Sequence, residues 1–276
     1  MRSTEFRLIG TTNNLSKALI NTLMRLTEEQ IQYGFYYYFH ERKNDIARVT
    51  EVSEYAGEEE LIINCTQLGT ASAKEKKRVL TEWCELFVGR PDAFKVLKFG
   101  TRMPQELFDS VCHQKNLRHL EIKWGVYKDL SAIQNLKELN LLYMGTGAGV
   151  ECVRPIAELP NLTGLYVENF QKIRDYSDLA KLSRLESLTI CGDALGPRYI
   201  TLDSINFLNE MPQLRYLKLL TLRLRSSDYS PILNLPNLEH LRLRPHQDVK
   251  KVYTKLCLLP KLKWGNVKAE PELFTD

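Results

Sequence analysis

The sequence is short of most features that would assign a chain quickly. Its six cysteines, Cys65, Cys84, Cys112, Cys152, Cys191 and Cys257, stand singly, which gives neither a zinc-ligand spacing nor a small disulfide framework. Reduced, mostly buried thiols are the expectation. No run reaches the roughly 18 consecutive apolar residues that a membrane span needs. The stretch "MRSTEFRLIGTTNNLSKALINTLMRL" lacks a basic segment followed by an apolar core and a small-residue cleavage site. The expected location is therefore cytoplasmic, with no membrane contact. The one glycine-rich loop, "MGTGAGVECVRP" (144–155), matches neither dinucleotide nor P-loop spacing, and no Lys or Ser/Thr pair follows to hold a phosphate. It reads as a turn, and no cofactor is expected.

Charge is not in large excess either. Lys and Arg number 38 against 34 Asp and Glu, a formal +4 over 276 residues. That balance hides an asymmetry, because residues 213–268 hold twelve Lys or Arg against Asp228, Glu239 and Asp248, so this segment carries +9 and the rest −5. With 43% hydrophobic and 26% charged residues, the composition is that of a globular chain and not of a disordered one.

What the sequence does have is a recurring pattern. "NLRHLEIKWG" (116), "NLKELNLLYM" (135), "NLTGLYVENF" (161), "RLESLTICGD" (184), "QLRYLKLLTL" (213) and "NLEHLRLRPH" (237) each read L-x-x-L-x-L or its Ile/Val equivalent. Their first leucines are 19, 26, 23, 29 and 24 residues apart, close to the roughly 20 to 29 of leucine-rich repeats. A degenerate repeat follows at "KLKWGNVKAE" (261), and another precedes at "AFKVLKFGTR" (93). Residues 93–268 thus resemble the leucine-rich repeat family. The links "YKDLSAIQNLKEL" (127–139) and "IRDYSDLAKLSRL" (173–185) are similar to those of internalins and of leucine-rich phosphatase regulators. The resemblance implies an α/β solenoid, with a curved parallel sheet on one side and helices or 3-10 turns on the other. One feature departs from it. The asparagine expected eight residues after the first leucine is replaced by Gly125, Met144, Phe170, Asp193, Leu222 and His246. Without that asparagine ladder, irregular turns are expected.

The first ninety residues read differently. "EFRLIG" suggests a strand and "LSKALINTLMRL" a helix. "IQYGFYYYFHE" suggests a strand with Tyr33, Phe35, Tyr37 and Phe39 on one face and Tyr36, Tyr38 and His40 on the other. No Arg or Lys interrupts this run before Arg42, so core packing is preferred over a base-stacking platform. "ELIINCTQL", the helix-like "AKEKKRVLTEWCELFVG" and the strand "AFKVLKF" then start the repeat sheet near Glu60. The expected organisation is an α/β cap over 1–58, a solenoid over 59–268 and a tail over 269–276.

Side chains alternate across a strand, so the leucines face the core and the residues between them line the concave sheet face. That face is expected to carry His119, Glu121 and Lys123, then Glu138 and Asn140, then Tyr166 and Glu168, then Tyr216 and Lys218, and last His240, Arg242 and Arg244. His119 and His240 share a repeat position. Five strands at about 4.8 Å spacing separate them by more than about 20 Å, too far for one metal. Cys191 would have Glu168 and Leu220 for neighbours, which supply no base or cation to activate a thiol. The pattern points to a non-enzymatic adaptor, regulator or immunity-type inhibitor whose concave face binds a protein, its basic end steering an acidic patch. The alternative is nucleic-acid binding through the basic C-terminal repeats. Glu121, Glu138 and Glu168 on the same face weigh against it.

Overall fold

The computed structural model describes residues 25–37, 45–193, 196 and 198–275. Among these, nine parallel strands form one sheet in chain order apart from two short strands set aside. They are β1 (Arg48–Val49), β2 (Glu60–Ile63), β3 (Val96–Met103), β4 (His119–Gly125), β5 (Leu141–Met144), β6 (Gly164–Glu168), β7 (Ser187–Cys191), β9 (Tyr216–Leu220) and β11 (His240–Leu243). β8 (Ile200–Leu202) and β10 (Leu222–Leu224) pair separately beside them. The proposed strands at "EFRLIG" and the helix at "LSKALINTLMRL" fall almost wholly outside the described residues, as do Tyr38, Phe39 and His40.

The register explains why the leucines recur. Leu61, Leu97, Leu120, Leu142, Leu165, Leu188, Leu217 and Leu241 stand abreast across eight strands. A second rank, Ile63, Phe99, Ile122, Met144, Val167, Ile190, Leu219 and Leu243, lies two residues on. All sixteen are buried. Burying one such side chain is worth about 1.5–3 kcal/mol, and it is achieved only when the neighbouring repeat is in place. Against these ranks pack α2 (Ala73–Gly89), α3 (Gln105–Val111), α4 (Arg154–Ala157) and 3-10 turns at Ser131–Asn135, Ser177–Lys181, Asn206–Glu210 and Ser230–Asn234. The C-terminal end is closed by α5 (Gln247–Leu256) and α6 (Asn266–Ala269), with Trp264 bridging to His240. The architecture is a leucine-rich repeat solenoid.

The turns lack the asparagine ladder at the eighth position, but two other devices satisfy their backbone. Asp129, Asp175 and Asp228 each accept from the N–H two residues on, at Ser131, Ser177 and Ser230, at 2.8–2.9 Å. These are Asx turns that start the 3-10 segments. At the start of the repeats, Asn116, Asn161 and Asn237 donate to the carbonyls of Asp92, Lys137 and Pro212, 24 or 25 residues earlier, at 2.9–3.1 Å. The ladder exists but has moved to the residue before the first leucine. The glycine-rich loop is likewise structural, since Gly145 and Gly147 donate to the carbonyls of Ile122 and Glu168 and leave no nest of N–H groups for a phosphate.

One repeat departs from its expected register. In "NLKELNLLYM" the core residues are Leu136, Leu139, Leu142 and Met144, so the strand carries one extra residue. Leu141 and Leu142 are both apolar and either could face the core. The register that aligns Leu142 with Leu120 and Leu165 also buries Met144 and frees Tyr143 to stack on Tyr166 with 4.1 Å between ring centroids. Glu138 and Asn140 consequently leave the sheet face. Glu138 is exposed at the approach to β5, and the Asn140 side chain donates to the carbonyl of Asn161 at 3.0 Å.

The N-terminal segment differs most from expectation. Residues 45–58 lie at the sheet edge, where β1 pairs with β2. Residues 25–37 lie instead across the sheet face turned away from the helices, hereafter the far face. The described part of the aromatic stretch, residues 31–37, is not a strand. Thr27 caps α1 (Glu28–Tyr33), accepting from the Gln30 N–H while the Gln30 side chain accepts from the Thr27 N–H, a capping box. Leu26 and Ile31 bracket the cap in one apolar cluster, as in a hydrophobic staple. Gly34 ends the helix with φ +94, a conformation costly for any other residue. The chain then turns into a 3-10 segment at Phe35–Tyr37 that puts Phe35 down and leaves Tyr37 exposed.

Candidate functional site

The far face is ordered by the same register as the core. One rank reads Glu60, Val96, His119, Leu141, Gly164, Ser187, Tyr216 and His240. The next reads Ile62, Lys98, Glu121, Tyr143, Tyr166, Thr189, Lys218 and Arg242. Glu168 and Cys191 pair in a third, where Cys191 has Leu220 on its other side. Eight of the twelve expected residues therefore stand in these ranks, Lys123 and Arg244 lie beyond them at the strand ends, and Glu138 and Asn140 are off this face. Leu141 and Tyr143 replace them, and no feature of the repeat template alone distinguishes the two registers.

Their exposure is not that of an open surface. His119, Glu121, Tyr166, Glu168, Tyr216 and His240 are all buried, whereas Lys123 and Arg244 at the rim are exposed. Residues 25–37 contribute to this burial, passing from Glu186 out to Lys263 and then back across the repeats towards His119. Arg25 Nε donates to Glu186 Oε1 at 3.0 Å, and the Leu26 N–H donates to Glu186 Oε2 at 3.3 Å. Arg215 donates to the Leu26 carbonyl at 2.8 Å, to Glu186 at 2.9 Å and to Glu239 at 2.6 Å. Lys263 reaches both Glu28 and Glu239 at 3.3 Å. Further along, the Ile31–Gln32 main chain meets His240, and Phe35 lies edge-on to His119 at 6.4 Å and over Gly164. Tyr36 stands edge-on to Tyr166 at 5.4 Å and contacts Tyr216 through its hydroxyl. Lys218 Nζ sits over the rings of Tyr36 and Tyr166 at 5.3 and 5.5 Å, a cation–π pair of contacts.

Glycine at 164 makes this seat. A Cβ there would come within 2.8 Å of Phe35 and 2.9 Å of Leu141, closer than packed carbon atoms tolerate. Electrostatics follow from the burial. Burial lowers His119 to about 3, with Lys98 adding repulsion, and lowers His240 to about 4, with Arg242 adding to it. Both imidazoles are neutral at pH 7. Burial raises the Glu121 carboxyl, partly offset by its ion pair with Lys98. Burial also pushes Glu239 up, but the Arg215 and Lys263 cations outweigh it and hold it below the ordinary range.

Cys191 donates to the Tyr166 hydroxyl at 3.4 Å, and burial pushes its thiol up to about 11. That is the reverse of what an activated nucleophile requires. No group of three or more His, Cys, Asp or Glu side chains among the described residues is placed to hold a metal ion. No helix among them is long and apolar enough to cross a membrane.

No protein-family model matches the chain, and no curated protein matches it. Solved structures do. An internalin from Listeria monocytogenes is 18% identical, the match covering 63% of this chain and 54% of that one with a TM-score of 0.47. A second internalin from the same organism is 24% identical over 59% of this chain and 65% of that one, with a TM-score of 0.43. A leucine-rich repeat protein from Leptospira interrogans is 14% identical over 75% and 65%, with a TM-score of 0.35. The chain thus spans about half the length of the first and under two thirds of the others. The likeness is one of fold.

Proposed function

We propose that this protein is a recognition module that binds a partner protein on the far face of its sheet. The observation that supports the reading is that this face already holds polypeptide. It seats thirteen residues of its own chain by stacked tyrosines, a glycine-floored slot for a phenylalanine and a buried carboxylate aimed at main-chain N–H. Tyrosine and arginine in such a setting are the usual anchors of protein interfaces. The role is that of an adaptor, regulator or inhibitor acting in the cytoplasm, with the exposed rim residues Lys123 and Arg244 turned toward acidic groups of the partner.

The charge distribution weighs against nucleic acid. Of the basic residues in 213–268, Arg215, Arg225, Lys251 and Lys263 are already ion-paired with Glu186, Glu239, Asp203, Asp248 or Glu28. Lys218 faces two rings and Arg244 faces Tyr199. Half of the twelve basic residues are thus already engaged within the protein, which weakens the segment as a track for a phosphate backbone.

The test uses three columns carrying the wild type, the Ile31→Ala/Phe35→Ala variant and a Tyr143→Ala/Lys218→Glu/Arg242→Glu variant. Nuclease-treated lysate of the source cells is passed over each at moderate salt. One protein held by the first two columns and lost from the third supports the reading. Retention that ignores the far-face substitutions overturns it.

A further inference from the structure

The far face raises a question that a binding surface alone does not answer, namely how a partner reaches residues that are buried. We infer that residues 25–37 are an exchangeable occupant of this face, and that the partner replaces them with a short helix of the same chemical build. This rests on the proposed far-face recognition.

Three independent observations carry the inference. First, the segment is built to hold weakly by itself. Its helix has six residues, far below the length at which an isolated helix is stable, and its order depends on the capping box and on the sheet beneath. Tyr33 and Tyr37 point away from the face, 49% and 39% exposed. Second, the match is incomplete. Ser187 and Thr189, each 1% exposed and flanked by Gly164, Tyr166 and Tyr216, bury their hydroxyls with no hydrogen-bond partner among the described residues. An occupant offering a polar atom there would bind better, since an unsatisfied buried hydroxyl is costly. Third, the polar anchors are concentrated at one end, on Glu186, Arg215 and Lys263, while the other end is held by rings. Release can begin at the aromatic end without breaking the charged network.

The occupant's chemistry follows from what the seat selects. It carries an aliphatic residue whose N–H meets Glu186, an acidic first helical turn opposite Lys263, and a second aliphatic residue five positions later. An aromatic pair follows four residues beyond that, the first ring over Gly164 and the second between Tyr166 and Lys218. Because the cis segment is tethered, it competes at high effective concentration, and the apparent affinity for the partner falls by the fraction of time the face is closed.

The full chain tests this with a fluorescein-labelled peptide of residues 25–37, RLTEEQIQYGFYY, followed by anisotropy. The Ile31→Ala/Phe35→Ala chain is expected to bind the peptide at least tenfold more tightly than the wild type. Adding Gly164→Val, which fills the phenylalanine slot, is expected to reverse that gain in a chain whose cooperative unfolding shows that the solenoid is intact. Equal binding by wild type and double variant would overturn the inference, as would no binding by a folded double variant. Hydrogen exchange on the wild type gives a second reading that needs no variant. Amides of 25–37 are expected to exchange at least a hundredfold faster than those of β6 and β7, and equal protection would overturn exchangeability. If a partner is captured through the far face but the peptide result is negative, the inference fails alone. If the partner ignores far-face substitutions, the functional reading fails with it.

Discussion

Abreast of Leu188 on the core face stand seven further leucines, whereas abreast of Tyr166 on the far face stand Ile62, Lys98, Glu121, Tyr143, Thr189, Lys218 and Arg242. The same strands in the same register thus carry a uniform rank on one side and a mixed one on the other. A uniform rank seals itself by stacking, so each leucine is covered by the repeats beside it. A mixed rank has no such solution, because neighbouring residues differ in size and charge. Its burial comes from a segment that is remote in sequence and shaped to the particular side chains it covers. Stability belongs to the first face and selectivity to the second.

That comparison can be broken most directly by substitution on either side. Leu188→Ala leaves a cavity in a closed rank and is expected to cost about 2–5 kcal/mol in urea unfolding with an unchanged slope. Phe35→Ala removes a larger side chain that is just as buried, yet it is expected to cost less than a third as much, because the segment opens locally before the solenoid unfolds. Equal losses would show that the two faces form one cooperative unit.

An effect smaller than that of Leu188→Ala is expected at the charged anchor. Glu186→Gln weakens the acceptor shared by Arg25, the Leu26 N–H and Arg215, at a cost of about 1–3 kcal/mol, with faster amide exchange at 26–28 as the specific sign. Unchanged exchange there would mean that the rings alone hold the segment.

The pH dependence sharpens the comparison further, since the far face holds buried titratable groups and the leucine rank holds none. His119 faces Lys98 on β3 and the Phe35 ring, with Glu121 on its own strand; His240 faces Tyr216 and Lys218 on β9 and the Ile31–Gln32 main chain, with Arg242 on its own strand. Both imidazoles titrate lower in the folded chain than the ordinary 6.5, at about 3 and about 4. Between those values the unfolded chain binds more protons, so stability is full above about pH 6.5 and declines as pH falls towards 4. Chemical denaturation at pH 7.5 and 5 measures this, and a flat profile would mean that the histidines are not enclosed. At the small end, Arg78→Ala breaks exposed pairs with Glu51 and Glu82 and is expected to leave the melting temperature unchanged within error.

Much of this was legible in the leucine spacing alone. The sheet, its direction and the placement of Cys191 between Glu168 and Leu220 follow from a period set by local packing. Two things were not. Adjacent leucines at 141 and 142 satisfy the template equally, and only the ranks on neighbouring strands choose between them. The aromatic run alternates like a strand, while its true state depends on contacts some 160 residues away at Glu186. The local clue was "LTEEQI", in which Thr27 and Gln30 form a capping box and Leu26 and Ile31 a staple, a helix signature at odds with the alternation that follows it.

The side-chain links at Asn161 and Asn237, which reach back 24 and 25 residues, and at Lys261, which reaches Asn237 24 residues before it, set the grain at which this chain can be edited. A residue inserted between a peg and its acceptor pulls the two apart, whereas duplicating a whole interval carries each peg along with its hook. The protein is therefore a modular ruler, extendable in steps of one repeat, over which a thirteen-residue segment covers a fixed span.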